Sequence, residues 1–423
     1  MKQSHDNAAA TAGNSRVKWH VLFGGFFGYM FDAVDILLLA VSMPVIIADL
    51  GISKADGGLL ATATMVGIGL SSVVVGWCAD NYGRRKTLFW SLMVFSVLTA
   101  AIAFTSTWFE ILVLRFLAGL GLGGVWSIIV AYIAETWPPK QRGRAASFVL
   151  SSFPAGAGLA AFLAYLIIPT YGWRALFLCG AGAIIAAVYF LIFVPESESW
   201  KKQKEAQKGK GEKVRIGEIF SKELARNTLL ATVVASFGLI GYWGCTTWLP
   251  LFLTQDRGLS IETMSLFFVV LNVGMFVGYN VFGILADKAG RRKALVISFI
   301  GTAITLPIYV NMTGHTALLV MGPVYAFFTA FVGLMGSYFP ELFPTRVRTL
   351  GAGFCFNIGR GVSAFAPFAM GFIAQSYGLV TGIMICAVFF CLAGLMMFAL
   401  PDIDKEKRPA AAAQPGAEVQ GES

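Results

Sequence analysis

Charge is what this chain has least of. Asp, Glu, Lys and Arg make up 13% of its 423 residues, about half the share usual in soluble domains, and the mean hydropathy is +0.72. An ordinary water-soluble protein is excluded. Histidine is almost absent: His5, His20 and His315 are the only three, placed near a terminus, at an interface and in a loop, and they suggest no metal site. The six cysteines (Cys78, Cys179, Cys245, Cys355, Cys386 and Cys391) lie inside apolar stretches without CxxC or Cys/His spacing, which indicates neither disulfides nor zinc. They read as small core side chains. No HExxH or GxSxG string occurs, so an enzyme is not expected.

What the chain has is apolar length. Twelve stretches, near 18–48, 57–79, 87–106, 109–134, 145–168, 174–194, 227–253, 262–286, 293–311, 316–339, 349–374 and 379–400, each hold roughly 20 or more largely apolar residues, enough to cross about 30 Å of hydrocarbon. The expected fold class is an all-α membrane protein of twelve transmembrane helices. The first stretch is too long and too charged for a cleavable signal and reads as a retained helix.

The net charge of +9 could suggest a nucleic-acid partner, but its placement points to lipid instead. With both termini cytoplasmic, the inside segments hold 27 of the 32 Lys and Arg, the outside loops hold Lys54, Arg174 and Arg257, and the spans hold Arg115 and Arg360. This asymmetry predicts a multi-pass protein of a plasma membrane, bacterial inner membrane in type, with cytoplasmic ends and a basic face toward anionic lipid. No nucleic acid is expected as a partner, and the protein is expected to be monomeric.

The sequence divides at its middle. Residues 195–226 contain the run KKQKEAQKGKGEKVR and read as a solvated cytoplasmic linker. It separates a six-helix unit at 17–194 from a second at 227–401, with disordered cytoplasmic tails expected at 1–16 and 402–423. The units repeat. Gly76-Trp-Cys-Ala-Asp80-Asn-Tyr-Gly83-Arg84-Arg85-Lys86 returns 207 positions later as Gly283-Ile-Leu-Ala-Asp287-Lys-Ala-Gly290-Arg291-Arg292-Lys293. Glu135-Thr-Trp-Pro138 returns as Glu341-Leu-Phe-Pro344, and Met43-Pro44 as Leu249-Pro250, both offset by 206. A shared offset argues for duplication of one six-helix unit.

Within the repeated string, Gly76 and Gly283 are expected to permit close helix contact. Asp80 and Asp287 can accept hydrogen bonds at a helix end, and Arg84, Arg291 and their neighbours supply charged partners for a cytoplasmic gate. A second string, Arg115-Phe-Leu-Ala-Gly119-Leu-Gly121-Leu-Gly123-Gly124, combines glycines suited to tight packing with an arginine about 9 Å inside its span. Only Asp32, Asp35, Arg115 and Arg360 lie well within the hydrocarbon, and intramembrane ionisable residues are functional by default. Asp32 and Asp35 share a helix face, as do Asn357 and Arg360; two acids and two bases sum to zero. Tyr242, Trp243, Trp126 and Asn272 are candidates to touch a substrate. Asn280 is equally polar, and interhelical hydrogen bonding explains Asn272 and Asn280 equally well.

These strings resemble the signatures of the major facilitator superfamily, and the resemblance spans nearly the whole chain. It implies two pseudo-symmetric six-helix bundles, with Arg115 serving proton coupling. The set Phe31-Asp32-Ala33-Val34-Asp35 with Arg115, Glu135, Arg348 and Arg360 resembles the aromatic acid/proton symporters, with the sialate and niacin-type branches close. That resemblance implies Asp32 and Asp35 as acids needed for transport, Glu135 and Arg348 as a cytoplasmic charge network, and Arg360 as the anion-binding arginine. Gly83, Arg142 and Glu341 join the gating set. Ala33 stands where the family usually has glycine, which implies a helix less able to kink there.

The function expected is proton-coupled import of an organic carboxylate, an aromatic acid first, by alternating access. Asp32, Asp35 and Arg115 would couple the proton, and Arg360 and Asn357 would hold the carboxylate. The partners are a small organic anion, a proton and the bilayer; no cofactor is expected, the proton gradient being the drive. Proton-driven efflux by the same fold, uptake of a sialate, nicotinate or short monocarboxylate, and a non-transporting receptor remain as alternatives.

Overall fold

In the computed structural model the described residues are 2–137, 145, 148–198, 200–201, 205, 216–344 and 347–403. Within them, the side chains of 2–16, 73, 77, 80, 81, 134, 216 and 348–350 are not described. Arg142 therefore lies outside the described residues, as do the side chains of Asp80 and Arg348.

The first unit comprises α1 (Lys2–Leu50), α2 (Lys54–Tyr82), α3 (Arg84–Ala101), α4 (Trp108–Leu122), α5 (Val125–Thr136), α6 (Ser152–Phe177) and α7 (Ala183–Phe193). The second comprises α8 (Ala225–Gln255), α9 (Ile261–Ala289), α10 (Arg291–Asn311), α11 (His315–Phe328), α12 (Phe331–Tyr338), α13 (Arg348–Ser363), α14 (Ala366–Tyr377) and α15 (Leu379–Met396). Nine helical stretches among the described residues are long and apolar enough to cross a membrane. One of them, Phe148–Phe193, doubles back at Gly172 (φ 77°) and forms two spans. With α2 and the α13–α14 pair, this gives the twelve crossings of a multi-pass protein in two six-helix halves.

Helix starts and stops are written locally. Ser53 and Asp56 form a reciprocal capping box at α2, Thr107 and Glu110 another at α4, and Ser260 caps α9, each satisfying backbone N–H groups that the first turn leaves open. Ser53 and Ser260 are themselves 207 apart. At the opposite ends of α2 and α9 the chain reverses through Gly83 (φ 107°) and Gly290 (φ 102°), a conformation closed to most side chains. This is the physical demand behind those two glycines. Gly76 and Gly283 differ from expectation: among the described residues a side chain begun at either would meet nothing within 4 Å, so no close helix contact is seen at either.

Two further boundaries are informative. α1 runs back as helix through Ala8, Ala9, Ala10 and Ala12 to Lys2, so the break expected at residue 16 does not show in the backbone; alanine is the strongest helix former. The same helix passes through Ala33 without interruption, as expected where glycine is replaced. α4 and α5 are parted at Gly123 and Gly124. A side chain at Gly119 would collide with the Thr64 carbonyl, and one at Gly123 with Ser71, so these glycines do bring α4 tightly onto α2.

The two halves meet along α1, α2, α6, α8, α9, α13 and α14. At the end bearing the α1–α2 turn, Gly58 lies on the Pro367 backbone and Gly371 on that of Lys54, while the Trp248 indole N–H donates to the Pro367 carbonyl at 2.9 Å. At mid-depth Gly69 approaches Gly361, and Gly158 approaches Asn272. Toward the end bearing the two GRRK turns, Trp126 stacks on Phe356 with centroids 5.2 Å apart.

Candidate functional site

The four intramembrane charges converge on this interface, but not as equals. Asp35 is 1% exposed and Arg115 is 0%. Arg115 Nη1 donates to Asp35 Oδ2 at 3.2 Å and approaches the Asp35 carbonyl at 3.4 Å, and its Nε donates to Thr64 Oγ1 at 2.9 Å. The Thr99 hydroxyl donates to the other carboxylate oxygen. Removing two charges from water costs several kcal/mol each, and only good geometry with saturating hydrogen bonds recovers it. Here the acid is saturated on both oxygens. The base keeps one unpartnered nitrogen, Nη2.

Asp32, one turn along α1, is 2% exposed. Among the described residues it makes no hydrogen bond and no ion pair within 4 Å. Its strongest charge partner is Arg360, whose attraction exceeds the repulsion from Asp35. Tyr29 stands beside it and feels both charges. Arg360 is half-buried on α13, with Asn357 one turn before it on the same face. Asp32 of the first half and Arg360 of the second thus lie within electrostatic reach of each other, with no ion pair between them among the described residues. Polar groups in this arrangement leave each other available to a third.

Aromatic side chains wall the region. Tyr29 packs on Phe153 at 5.7 Å, and Phe153 lies 6.5 Å from Tyr242 and 6.3 Å from Trp243. The chain Tyr29–Phe153–Tyr242–Trp243 therefore crosses from one half to the other. Tyr242 and Trp243 are buried, and Trp243 lines a small cavity with Arg115 and Thr64. Asn272 lines a second with Tyr242 and Tyr325, although its amide donates to the Phe268 carbonyl of its own helix at 2.8 Å. Trp126 joins the interface lower down through Phe356. Asn280 is exposed and bonded to the Phe276 carbonyl, outside the site.

The expected gating residues gather at the GRRK end, within each half. Arg84 pairs with Glu135 at 3.1 Å, and Arg291 with Glu341 at 3.8 Å; Asp287 is exposed. Sequence reasoning missed Glu196. Its carboxylate accepts from the backbone N–H of Arg84 at 2.9 Å and of Arg85 at 3.2 Å, and from the Tyr132 hydroxyl at 3.3 Å. It caps α3 at the positive end of its dipole. The signal was present: Pro195-Glu196 and Pro401-Asp402 stand 206 apart, the offset of the other repeats. Thr64, Thr99, Tyr29 and Phe153 were also missed, being residues whose composition says only membrane interior.

No group of three His, Cys, Asp or Glu that could hold a metal occurs among the described residues. Balanced charges at the seam of two repeats fit a site that opens by relative movement of those repeats.

The chain is similar over its length to known membrane carriers. A cis,cis-muconate transport protein of Acinetobacter baylyi is 32% identical, the match covering 88% of this chain and 92% of that one. A sialic acid transporter of Escherichia coli is 28% identical, covering 87% and 90%. Among solved structures, a D-xylose-proton symporter superposes with a TM-score of 0.74 at 19% identity, covering 92% of this chain and 99% of that one, a likeness of fold. The model of the Major Facilitator Superfamily matches residues 25–288 and 252–421. With twelve crossings in two duplicated halves and buried charges near the seam between them, the chain belongs to the Major Facilitator Superfamily, a family of transporters and not of enzymes.

Proposed function

We propose that this protein is a proton-coupled symporter that imports an organic carboxylate, an aromatic or unsaturated acid first, by alternating access. The observation that carries this reading is Asp32, buried on α1, within electrostatic reach of Arg360, half-buried on α13, with no ion pair between them among the described residues. A proton on Asp32 removes the negative charge opposite Arg360 and frees the guanidinium for an anion, so proton and substrate favour each other's binding. Arg360 would take the carboxylate bidentately, with Asn357 as a further donor. The loaded site is then as neutral as the empty one. The muconate and sialic acid relatives both carry acids by name, which supports an acid as cargo.

In the same reading the GRRK end is cytoplasmic, as the basic linker and the positive-inside rule require, and both termini lie on that side of an inner membrane. Arg84–Glu135 and Arg291–Glu341 then belong to the cytoplasmic gate. The drive is the proton gradient, without a cofactor, and the working unit is a monomer.

The test is uptake of labelled benzoate, muconate, nicotinate and sialate into proteoliposomes of purified protein, with and without an imposed pH gradient. Accumulation of at least one acid above equilibrium only when the outside is acidic is expected. Equal uptake with and without the gradient would remove the proton from the mechanism, and no counterflow of any acid would remove the substrate class.

A further inference from the structure

Beside the Asp32–Arg360 pair lies a second set of donors that the proposed mechanism leaves idle. Arg115 uses Nε on Thr64 and Nη1 on Asp35, while its Nη2 is buried without a partner. Across the seam, Trp243 of α8 is 6% exposed and its indole N–H is also unpartnered. Both residues line one cavity, together with Ile36, Ala40, Ala61 and Thr64. A buried donor left without an acceptor loses the hydrogen bonds that water gave it. Two on one cavity, contributed by opposite halves, mark a place where an acceptor belongs.

The neighbouring groups narrow the acceptor. The Asp35 carboxylate already balances Arg115 and has both oxygens occupied, so it does not turn toward the cavity. The remaining lining is apolar apart from Thr64, Thr246 and Thr247, and the hydroxyls of Thr64 and Thr247 are engaged with the Leu60 and Trp243 carbonyls. What the cavity lacks is an oxygen that accepts from two convergent N–H groups, one of them charged. Along α1 the Arg115 pair sits three residues from the Arg360 pair, about 4.5 Å of helix rise.

We infer that the substrate carries a second acceptor oxygen, a carboxyl or carbonyl at the end remote from the carboxylate held by Arg360, and that Arg115 Nη2 and Trp243 Nε1 bind it jointly. This rests on the organic-acid reading above and narrows it to acids with two oxygen-bearing ends. One donor comes from each half, so such a substrate bridges the halves as well as filling the space between them.

A matched pair of probes isolates the second group: hexa-2,4-dienedioate and hexa-2,4-dienoate share a six-carbon skeleton and differ in one terminal carboxyl. Binding of both is measured by calorimetry on purified wild-type protein and on Trp243→Phe, which keeps an aromatic ring but loses the pyrrole part of the indole with its N–H; the ratio of the two affinities, rather than either alone, separates the lost donor from the lost volume. Wild-type protein should prefer the dienedioate, and Trp243→Phe should reduce the ratio of the two affinities by about tenfold. Thermal unfolding of both proteins establishes that the variant is folded; should it not be, Trp243→His, which restores a ring N–H, is compared with wild type and should retain part of the preference. Binding of both acids with the same ratio in wild type and folded variant overturns this inference and leaves the organic-acid reading intact. Binding of neither acid, alongside transport of none in the uptake test, overturns both.

Discussion

The two halves share a skeleton and differ in charge. Their turns, caps and proline positions repeat at offsets of 206 and 207, and Gly83 and Gly290 adopt nearly the same φ. Yet the first half buries Asp32, Asp35 and Arg115, one negative charge in excess, while the second contributes Arg360 alone. Gly241 stands in α8 where the 206 offset places Asp35 in α1, and Pro154 in α6 where it places Arg360 in α13. Duplication supplied the frame, and divergence left each half electrostatically incomplete. Asp35 is answered inside its own half. Asp32 finds its opposite charge only across the seam, where a change of protonation acts on the relation between halves rather than within one.

The largest expected effect tests the internal pair. Asp35→Asn leaves Arg115 as an uncompensated buried cation, and breaking a buried pair by removing one partner costs about 3–5 kcal/mol. The variant should unfold at a markedly lower temperature in detergent. Removing both charges, as Asp35→Asn with Arg115→Gln, should recover most of that loss. A double variant no more stable than the single would show that the pair is not what holds α1, α2 and α4 together.

The cross-seam charges predict a different pattern. Asp32→Asn should leave thermal stability close to that of wild type and abolish accumulation driven by a pH gradient, since an amide cannot exchange a proton, while substrate exchange persists. Undiminished concentration of substrate would place the coupling proton elsewhere. Arg360→Lys keeps the charge but loses the planar fork. It should weaken acid binding ten- to hundredfold, the equivalent of about 1.5–3 kcal/mol for a charged hydrogen bond, again with little change in unfolding temperature. Unchanged affinity would remove Arg360 as the carboxylate's anchor.

Much of this was legible in the sequence. Hydropathy and repeats gave two six-helix halves, because crossing a bilayer forces long apolar helices and duplication preserves its landmarks. The scarcity of charge singled out Asp32, Asp35, Arg115 and Arg360, because each is too costly in lipid to be incidental. Partnership was not legible. The spacing of Asp32 and Asp35 puts them on one face but says nothing of which arginine each answers, and that is decided by the packing of α4 on α2 and of α13 against α2 and α8. Thr64 and Thr99 saturate a buried ion pair from two other helices, which no local pattern records. Gly76 and Gly283 misled for a related reason: they repeat as faithfully as Gly83 and Gly290, but only the latter pair carries a backbone demand in this state.

The smallest expected effect lies at the GRRK ends, where the same contrast between halves recurs outside the site. Arg85 donates to the Leu191 carbonyl, and its counterpart Arg292 donates to the Met397 and Phe398 carbonyls at 3.1 and 2.9 Å. Tyr132 approaches the Pro195 carbonyl at 3.5 Å, and Tyr338, 206 positions on, donates to that of Pro401 at 2.6 Å. The clamp is therefore duplicated up to its last element. Glu196 reaches the start of α3 and accepts from two backbone N–H groups and from Tyr132. Asp402, one methylene shorter, makes no hydrogen bond among the described residues. Glu196→Gln keeps an acceptor and loses the charge, so it should cost about 1 kcal/mol, the usual range for charge at a helix start; Asp402→Asn should cost nothing measurable. Asp402→Glu sharpens the comparison, because the added methylene gives the second half the reach of the first, and a gain of about 0.5–1 kcal/mol is expected. Unfolding midpoints of the three variants in one detergent decide it. Equal losses for Glu196→Gln and Asp402→Asn would mean that the two clamps are equivalent and that the halves differ only in the charges they bury at the seam.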